Sequence, residues 1–249
     1  MKNHLFLLLI FICCTALTLT FKSYATDYEL GLYVLNRGEF TAAIKEFEPL
    51  VELGYTPAQY QMGVIYQKGY GVPKNATKAI EFFELAAKRF YADALFELSL
   101  YYTEGRFIKK DLKKAYTLMN SAAIKHLPMA QFNVAVMYEQ GAGTPIDYFK
   151  AARWYKAAAN QNLSLAQYNL ALLYSEGLGV EKSVEMSYIW NTLSAWNGYN
   201  NAEKSRAIDK RNLTPVKIEI AEKEAHRLYL QILETEKVRV EKSKETSVY

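Results

Sequence analysis

Cysteine and histidine are nearly absent from this chain: among 249 residues there are two of the first and three of the second. Both cysteines, Cys13 and Cys14, fall in an apolar leader. The remainder therefore has no thiol for a disulfide, a zinc site or nucleophilic catalysis. Past the leader the only imidazoles are His126 and His226. No His-Glu-x-x-His, Ser-x-x-Lys or Gly-x-Ser-x-Gly occurs, and no Gly-rich phosphate loop ends in Lys-Ser/Thr. Strong charge of one sign is also missing, since 30 Lys and Arg face 26 Asp and Glu, a net +4 that falls to +2 without Lys2 and Lys22. So small a bias, with no basic stripe interleaved with aromatics, excludes nucleic acid as the expected partner. The expectation is a chain that is not an enzyme and carries no cofactor and no metal.

Long apolar runs are scarce too. One stretches from Leu5 to Phe21 behind Lys2 and His4, and Ser23-Tyr24-Ala25 puts small residues at the two positions a signal peptidase inspects. Residues 1–25 are read as a signal peptide, leaving about 224 residues, 249 minus 25, for a periplasmic or secreted protein. The alternative is an uncleaved anchor, because such a run is at the lower limit for spanning a bilayer. Membrane contact is expected only in that case. Neither Cys13 nor Cys14 follows the small residue that lipidation requires.

What is present is repetition. Ala58, Ala94, Ala130 and Ala166 stand 36 residues apart, each followed eight positions on by Tyr66, Tyr102, Tyr138 or Tyr174, then by Gly69, Gly105, Gly141 or Gly177. A fixed period of this length marks units that cannot bury an apolar face alone and must stack. In the first copy Ala58, Met62, Gly63 and Tyr66 share one face of a helix, here helix A. Their counterparts are Ala94, Leu98, Ser99, Tyr102; Ala130, Val134, Ala135, Tyr138; and Ala166, Leu170, Ala171, Tyr174.

Gly69 and its equivalents stop helix A where a left-handed residue is needed. Turns follow as Gly71-Val72-Pro73, Gly141-Ala142-Gly143 and Gly177-Leu178-Gly179, while Gly105-Arg106-Phe107 breaks step, predicting a different turn or a buried Phe107. Asn75, Asp111, Asp147 and Ser183 then occupy one column of N-cap residues opening helix B. Helix B should face the core with Ala79, Phe82, Ala86 and Ala87, and with the matching sets around Leu118, Trp154 and Trp190. Units close at Phe90, His126, Asn162 and Gly198. Because Phe and His resist the left-handed conformation, those two ends are expected to be less regular.

The Gly-x-Gly turn, the cap, Lys78-Ala79, Lys114-Ala115, Lys150-Ala151 and the aromatic-then-Ala-Ala ending resemble the Sel-1-like repeat, a relative of tetratricopeptide repeats. Met186-Ser187 departs from its Lys-Ala step, and Phe82 and Leu118 replace its usual tryptophan. The resemblance implies an all-α fold, a right-handed solenoid of helical hairpins. The repeats are residues 58–93, 94–129, 130–165 and 166–201, after a degenerate unit over 26–57. Residues 202–233 read as C-terminal capping helices, with Thr214 as cap and Pro215 as first helical residue. There Ala221, Ala225, Leu228, Tyr229 and Ile232 form the apolar stripe, and 234–249 is a charged tail, frayed or disordered.

One subgroup of the resembled family is cysteine-rich and linked to peptidoglycan or β-lactam chemistry. It supplies the alternative function, from which this chain departs at the cysteines themselves. His126 reads as a helix-end residue and His226 as surface. Asn75-Ala76-Thr77, Asn162-Leu163-Ser164 and Asn212-Leu213-Thr214 match a glycosylation pattern, but Asn75 and Thr214 are explained by caps.

The function implied is a scaffold or adaptor that binds a protein or peptide of unspecified identity, in a bacterial envelope or on a host target. The candidate contacts are on helix A: Gln59, Gln131 and Gln167, interrupted by Leu95, and the neighbouring column Gln61, Asn133 and Asn169, with Glu97. Their amides suit an extended peptide backbone, or they are solvated positions repeated with the unit. A second column, Tyr60, Phe96, Phe132 and Tyr168, lines the same groove or fills the core.

Overall fold

The computed structural model describes residues 24–247; the leader, all but its last two residues, and Val248-Tyr249 lie outside the described residues, as do Cys13 and Cys14. Among those described there are twelve helices and no strand. Helix α1 covers 24–36, followed by α2 (Phe40–Glu52), α3 (Thr56–Lys68), α4 (Ala76–Ala87), α5 (Ala92–Glu104) and α6 (Leu112–Ile124). Then come α7 (Pro128–Gln140), α8 (Tyr148–Ala159), α9 (Ser164–Glu176), α10 (Val184–Trp196), α11 (Asn200–Arg211) and α12 (Pro215–Ser247). The described helices contain no segment long and apolar enough to cross a membrane. Two compact units divide between Leu98 and Ser99, within α5.

Each of the four repeat hairpins is closed by the same bonds. The backbone N–H of the cap residue donates to the carbonyl of the column tyrosine nine residues earlier: Asn75 to Tyr66 at 2.9 Å, Asp111 to Tyr102 at 3.0 Å, Asp147 to Tyr138 and Ser183 to Tyr174 at 2.9 Å. Each cap side chain accepts from the N–H three residues on, at Lys78, Lys114, Lys150 and Met186. One residue thus ends the turn and starts the helix, satisfying a donor that would otherwise be orphaned. The Lys of the Lys-Ala step has its own reason. Its ammonium lies over the column tyrosine, 4.9 Å from the Tyr66 ring centre for Lys78, 4.2 Å from Tyr102 for Lys114 and 5.3 Å from Tyr138 for Lys150.

The second turn glycine is a packing device. A β-carbon on Gly143 would stand 2.0 Å from the Leu112 carbonyl oxygen, and one on Gly179 would stand 2.2 Å from that of Tyr148. Backbone therefore passes against the first turn of the preceding helix B, where only glycine fits. Phe107 occupies this place in the second copy. It is not buried as one expectation had it; it stays 52 % exposed, with Tyr101 edge-on at 6.3 Å.

Helix A matches the expected register, with its alanine column fully buried. Helix B differs by one position. The large residue pointing inward is Phe83, Met119 or Tyr155, each buried, while Phe82, Leu118 and Trp154 are only half-buried. A step of four from Ala79, Ala115 or Ala151 lies nearer the alanine's direction than a step of three, which explains the shift. In the fourth copy that inward position is Asn191, and Trp190 is buried beside it.

The helix B ends are also more regular than expected. Gly54, Phe90, His126, Asn162 and Gly198 all adopt positive φ, between 58° and 82°, and each N–H bonds to the carbonyl three residues back at 2.9 to 3.0 Å. Packing of the next helix imposes the left-handed residue even where the side chain opposes it.

Thr214 caps α12 through its side chain to Lys217 N–H at 3.3 Å, and Ala221, Ala225 and Ile232 are buried. α12 does not stop at 233. It continues through 234–247 as helix, and Glu236 and Arg239 reach back to Asn162 and Gln161 at the turn after α8.

Candidate interaction surface

The six candidate contacts separate into two classes. Gln59, Gln131 and Gln167 are 7 %, 3 % and 0 % exposed, so they do not form an accessible surface. Gln131 Nε2 donates to the Ala123 carbonyl at 3.3 Å and its oxygen accepts from Gln161 at 2.8 Å. Gln167 repeats this with Ala159 at 3.2 Å and Asn197 at 3.0 Å. In α7 and α9 the amide column therefore fastens helix A to the end of the preceding helix B and to the following turn. In the first unit Gln59 lacks a partner for its buried oxygen.

Gln61, Asn133 and Asn169 keep accessible surface. In the first unit Gln61 Nε2 donates to Tyr28 Oη at 3.4 Å, and Glu97, one repeat on, accepts from Gln67 at 2.8 Å. In the second unit Asn133 donates to the Met129 carbonyl at 2.8 Å. Asn169 donates to Tyr155 Oη at 3.3 Å, and that hydroxyl donates to Glu139 at 2.6 Å. Burial, with the Glu139 carboxylate beside it, pushes the Tyr155 phenol strongly upward, so it stays a neutral donor.

The neighbouring aromatic column is half-buried throughout. Three members pack on the entry to the next helix A or on helix B: Tyr60 on Phe83 and Tyr91, Phe132 on Tyr155, Tyr168 on Tyr199. Rings here fill a layer and expose an edge.

Sequence reasoning missed Tyr28, Tyr55, Tyr91 and Asp93 in the first unit. Tyr28 and Tyr55 meet edge to face at 5.4 Å, and Tyr60 and Tyr91 lie 5.3 Å apart. The signal was available: Tyr55 and Tyr91 begin helix A where later copies have Leu127 and Leu163. Burial, and the negative charge of Asp93 after it, raise the Tyr60 phenol; Tyr91 is raised by burial, then by Tyr28 and Asp93.

His126 is exposed at its helix end, and His226 lies on α12 edge-on to Trp196 at 6.5 Å. No group of three metal-ligating side chains exists among the described residues. In the buried polar cluster of Ser187, Asn191 and Asp209, bonds of 2.8 Å from Ser187 and Asn191 to Asp209 link α10 to α11, while Asn191 Oδ1 has no hydrogen-bond partner among the described residues.

The Sel1 repeat family model matches residues 56–89, 92–125, 128–163 and 164–195. No curated protein matches the chain. Among solved structures, one similar fold is c5321, a protective antigen of uropathogenic Escherichia coli strains displaying an SLR fold. It is 29 % identical with TM-score 0.75, covering 88 % of this chain and 48 % of that one, so this chain spans about half its length. A Sel1 repeat protein from Oxalobacter formigenes is 25 % identical with TM-score 0.72, covering 83 % and 84 % respectively. The four matched segments fall on the four capped hairpins described above, and the chain belongs to the Sel1 repeat family.

Proposed function

We propose that this chain is an exported, non-enzymatic scaffold that binds a protein or peptide through the accessible side chains of its A helices: Gln61 and the tyrosines near it in the first unit, Asn133 and Asn169 in the second. One observation carries the reading. The repeated positions are spent on caps, turns and packing, whereas the A helices keep accessible amides and tyrosine edges at one register beside them. Amphipathic rings and amides of this kind supply contact area at low entropic cost. Export to the periplasm or beyond rests on the leader pattern of residues 1–25.

Photocrosslinking in the cells that produce the protein tests it. A benzoylphenylalanine at position 61 or 133 should give discrete heavier species, and one at position 113, exposed on α6, should give none. Equal labelling from all three, or from none, overturns the proposal. Mass spectrometry of the mature chain checks export: an N-terminus at Thr26 is expected, and retention of Met1 would instead make the protein membrane-anchored.

A further inference from the structure

The first unit holds a carboxylate that no cationic side chain among the described residues neutralises. Asp93, in the first turn of α5, is half-buried, and its only hydrogen bond is to its own backbone N–H; no cationic side chain pairs with it among the described residues. A first-turn acid usually gains from the helix N-terminus. Here burial outweighs that gain and moves the Asp93 carboxyl upward. Capping does not require the acid, because the equivalent positions are Pro57, Met129 and Leu165.

Around it stand aromatic rings. Asp93 follows Tyr91 by two residues, Tyr91 lies 5.3 Å from Tyr60 and Tyr28 lies 5.4 Å from Tyr55; burial first, and the Asp93 charge after it, raises the phenols of Tyr28, Tyr60 and Tyr91. Ring faces carry negative potential, and tyrosines grouped beside a carboxylate suit a desolvated organic cation. The same chain already places ammonium groups on tyrosine faces, at Tyr66, Tyr102 and Tyr138. The column that holds Tyr55 and Tyr91 carries leucine at Leu127 and Leu163 and tyrosine again at Tyr199, and only at Tyr91 does an acid follow two residues on.

We propose that Asp93 with Tyr28, Tyr55, Tyr60 and Tyr91 forms a receptor for a lysine or arginine side chain presented by the partner. This rests on the scaffold reading and gives it a chemistry: cation on aromatic face, closed by an ion pair with Asp93. Glu97, on the next turn of α5, extends the acidic side for a second basic residue.

The test uses the leaderless full chain and blocked tripeptides, Gly-Lys-Gly and Gly-Arg-Gly, with Gly-acetyllysine-Gly as the uncharged control, followed by amide NMR shifts. Saturable shifts confined to residues 55–61 and 91–97 are expected for the two cations. Affinity should fall about tenfold in Asp93→Asn, which keeps the shape and removes the charge, and in Tyr91→Leu, while Tyr91→Phe retains most of it. Equal shifts with acetyllysine, no shifts at all, or an unchanged affinity in Asp93→Asn would each overturn the cation site. Crosslinks from position 133 are independent of Asp93. If they persist while the titration is silent, the scaffold reading stands and the cation site falls.

Discussion

The ring of Phe83 occupies the space that a β-carbon on Gly63 would need: its Cε1 lies 2.5 Å from that position, and Phe47 stands in the same relation to Gly31 at 2.4 Å. Helix α3 therefore has a glycine in mid-helix, at a propensity cost of about 1 kcal/mol, so that a fully buried phenylalanine of α4 can close against its backbone. Gly63→Ala regains that propensity but overpacks by about 1–3 kcal/mol, for a net loss of about 1 kcal/mol. Phe83→Leu frees the space. The double variant should lose less than the sum of the two single changes, by about 1 kcal/mol in urea unfolding. Strict additivity would mean that the ring and the glycine do not share that volume.

The left-handed column makes a prediction of opposite sign. Phe90 is 65 % exposed and His126 is exposed, so neither contributes much packing, yet both are held at φ near 60°. Glycine adopts this conformation without the steric cost, partly offset by its greater freedom when unfolded. Phe90→Gly and His126→Gly should each stabilise the protein by up to about 1 kcal/mol, read as a higher urea midpoint. Gly198→Phe, which meets open space at the same column, should cost a similar amount. A loss on putting glycine at 90 or 126 would show that those side chains hold the turn.

Periodicity made the hairpins, the caps and the turn glycines legible, because a strict 36-residue spacing lets four copies vote on each position. It served less well where a choice depends on a few tens of degrees around a helix, as with Phe82 against Phe83. Nor does a polar residue repeated every 36 positions declare whether it is solvated or buried. Gln131 and Gln167 are buried because a carbonyl at a helix end and an amide 30 residues on both lie within reach, and that is a tertiary fact. Asp93 was obscured for the converse reason, since it breaks the repeat where the copies otherwise agree on apolar residues.

Two aspartates should bend the pH dependence of stability in opposite directions. Asp147 accepts from the Lys150 N–H first and from its ammonium second, which lowers its carboxyl below the ordinary 3.8. Its contribution is present above that value and fades as pH falls through the lower folded one. Asp209 is raised by burial despite bonds from Asn191 and Ser187, so the folded form holds its proton more tightly and the charged form is penalised at neutral pH. Asp147→Asn should therefore lower the thermal midpoint at neutral pH and converge with the parent in acid. Asp209→Asn, whose amide oxygen can still accept both bonds, should raise the midpoint at about pH 8, and the gain should vanish near pH 3. The idea fails if Asp209→Asn gains as much in acid as at neutral pH.

The buried amide column should prove structural when it is cut. Gln167 donates its Nε2–H to the Ala159 carbonyl, which already accepts from the Asn162 N–H at 3.0 Å, and its oxygen accepts a hydrogen bond from Asn197 Nδ2. Leucine of similar size leaves that carbonyl one bond and deprives the Asn197 amide of one acceptor, although Asn162 Oδ1 still accepts at 2.6 Å. With one group short of a partner, the loss should be about 1–2 kcal/mol, at the lower end of what an unsatisfied buried group costs. The second copy carries Leu95, buried, with an exposed Lys125 thirty residues on, and so has an amide at neither position. Adding Asn197→Lys to Gln167→Leu should accordingly recover at least half of the loss, because the orphaned amide is replaced by a side chain that reaches water. If the pair is as unstable as the single variant, the cost lies in the Ala159 carbonyl rather than in Asn197, and a Gln167→Glu variant, which has no amide to donate at neutral pH, should then be worse than leucine.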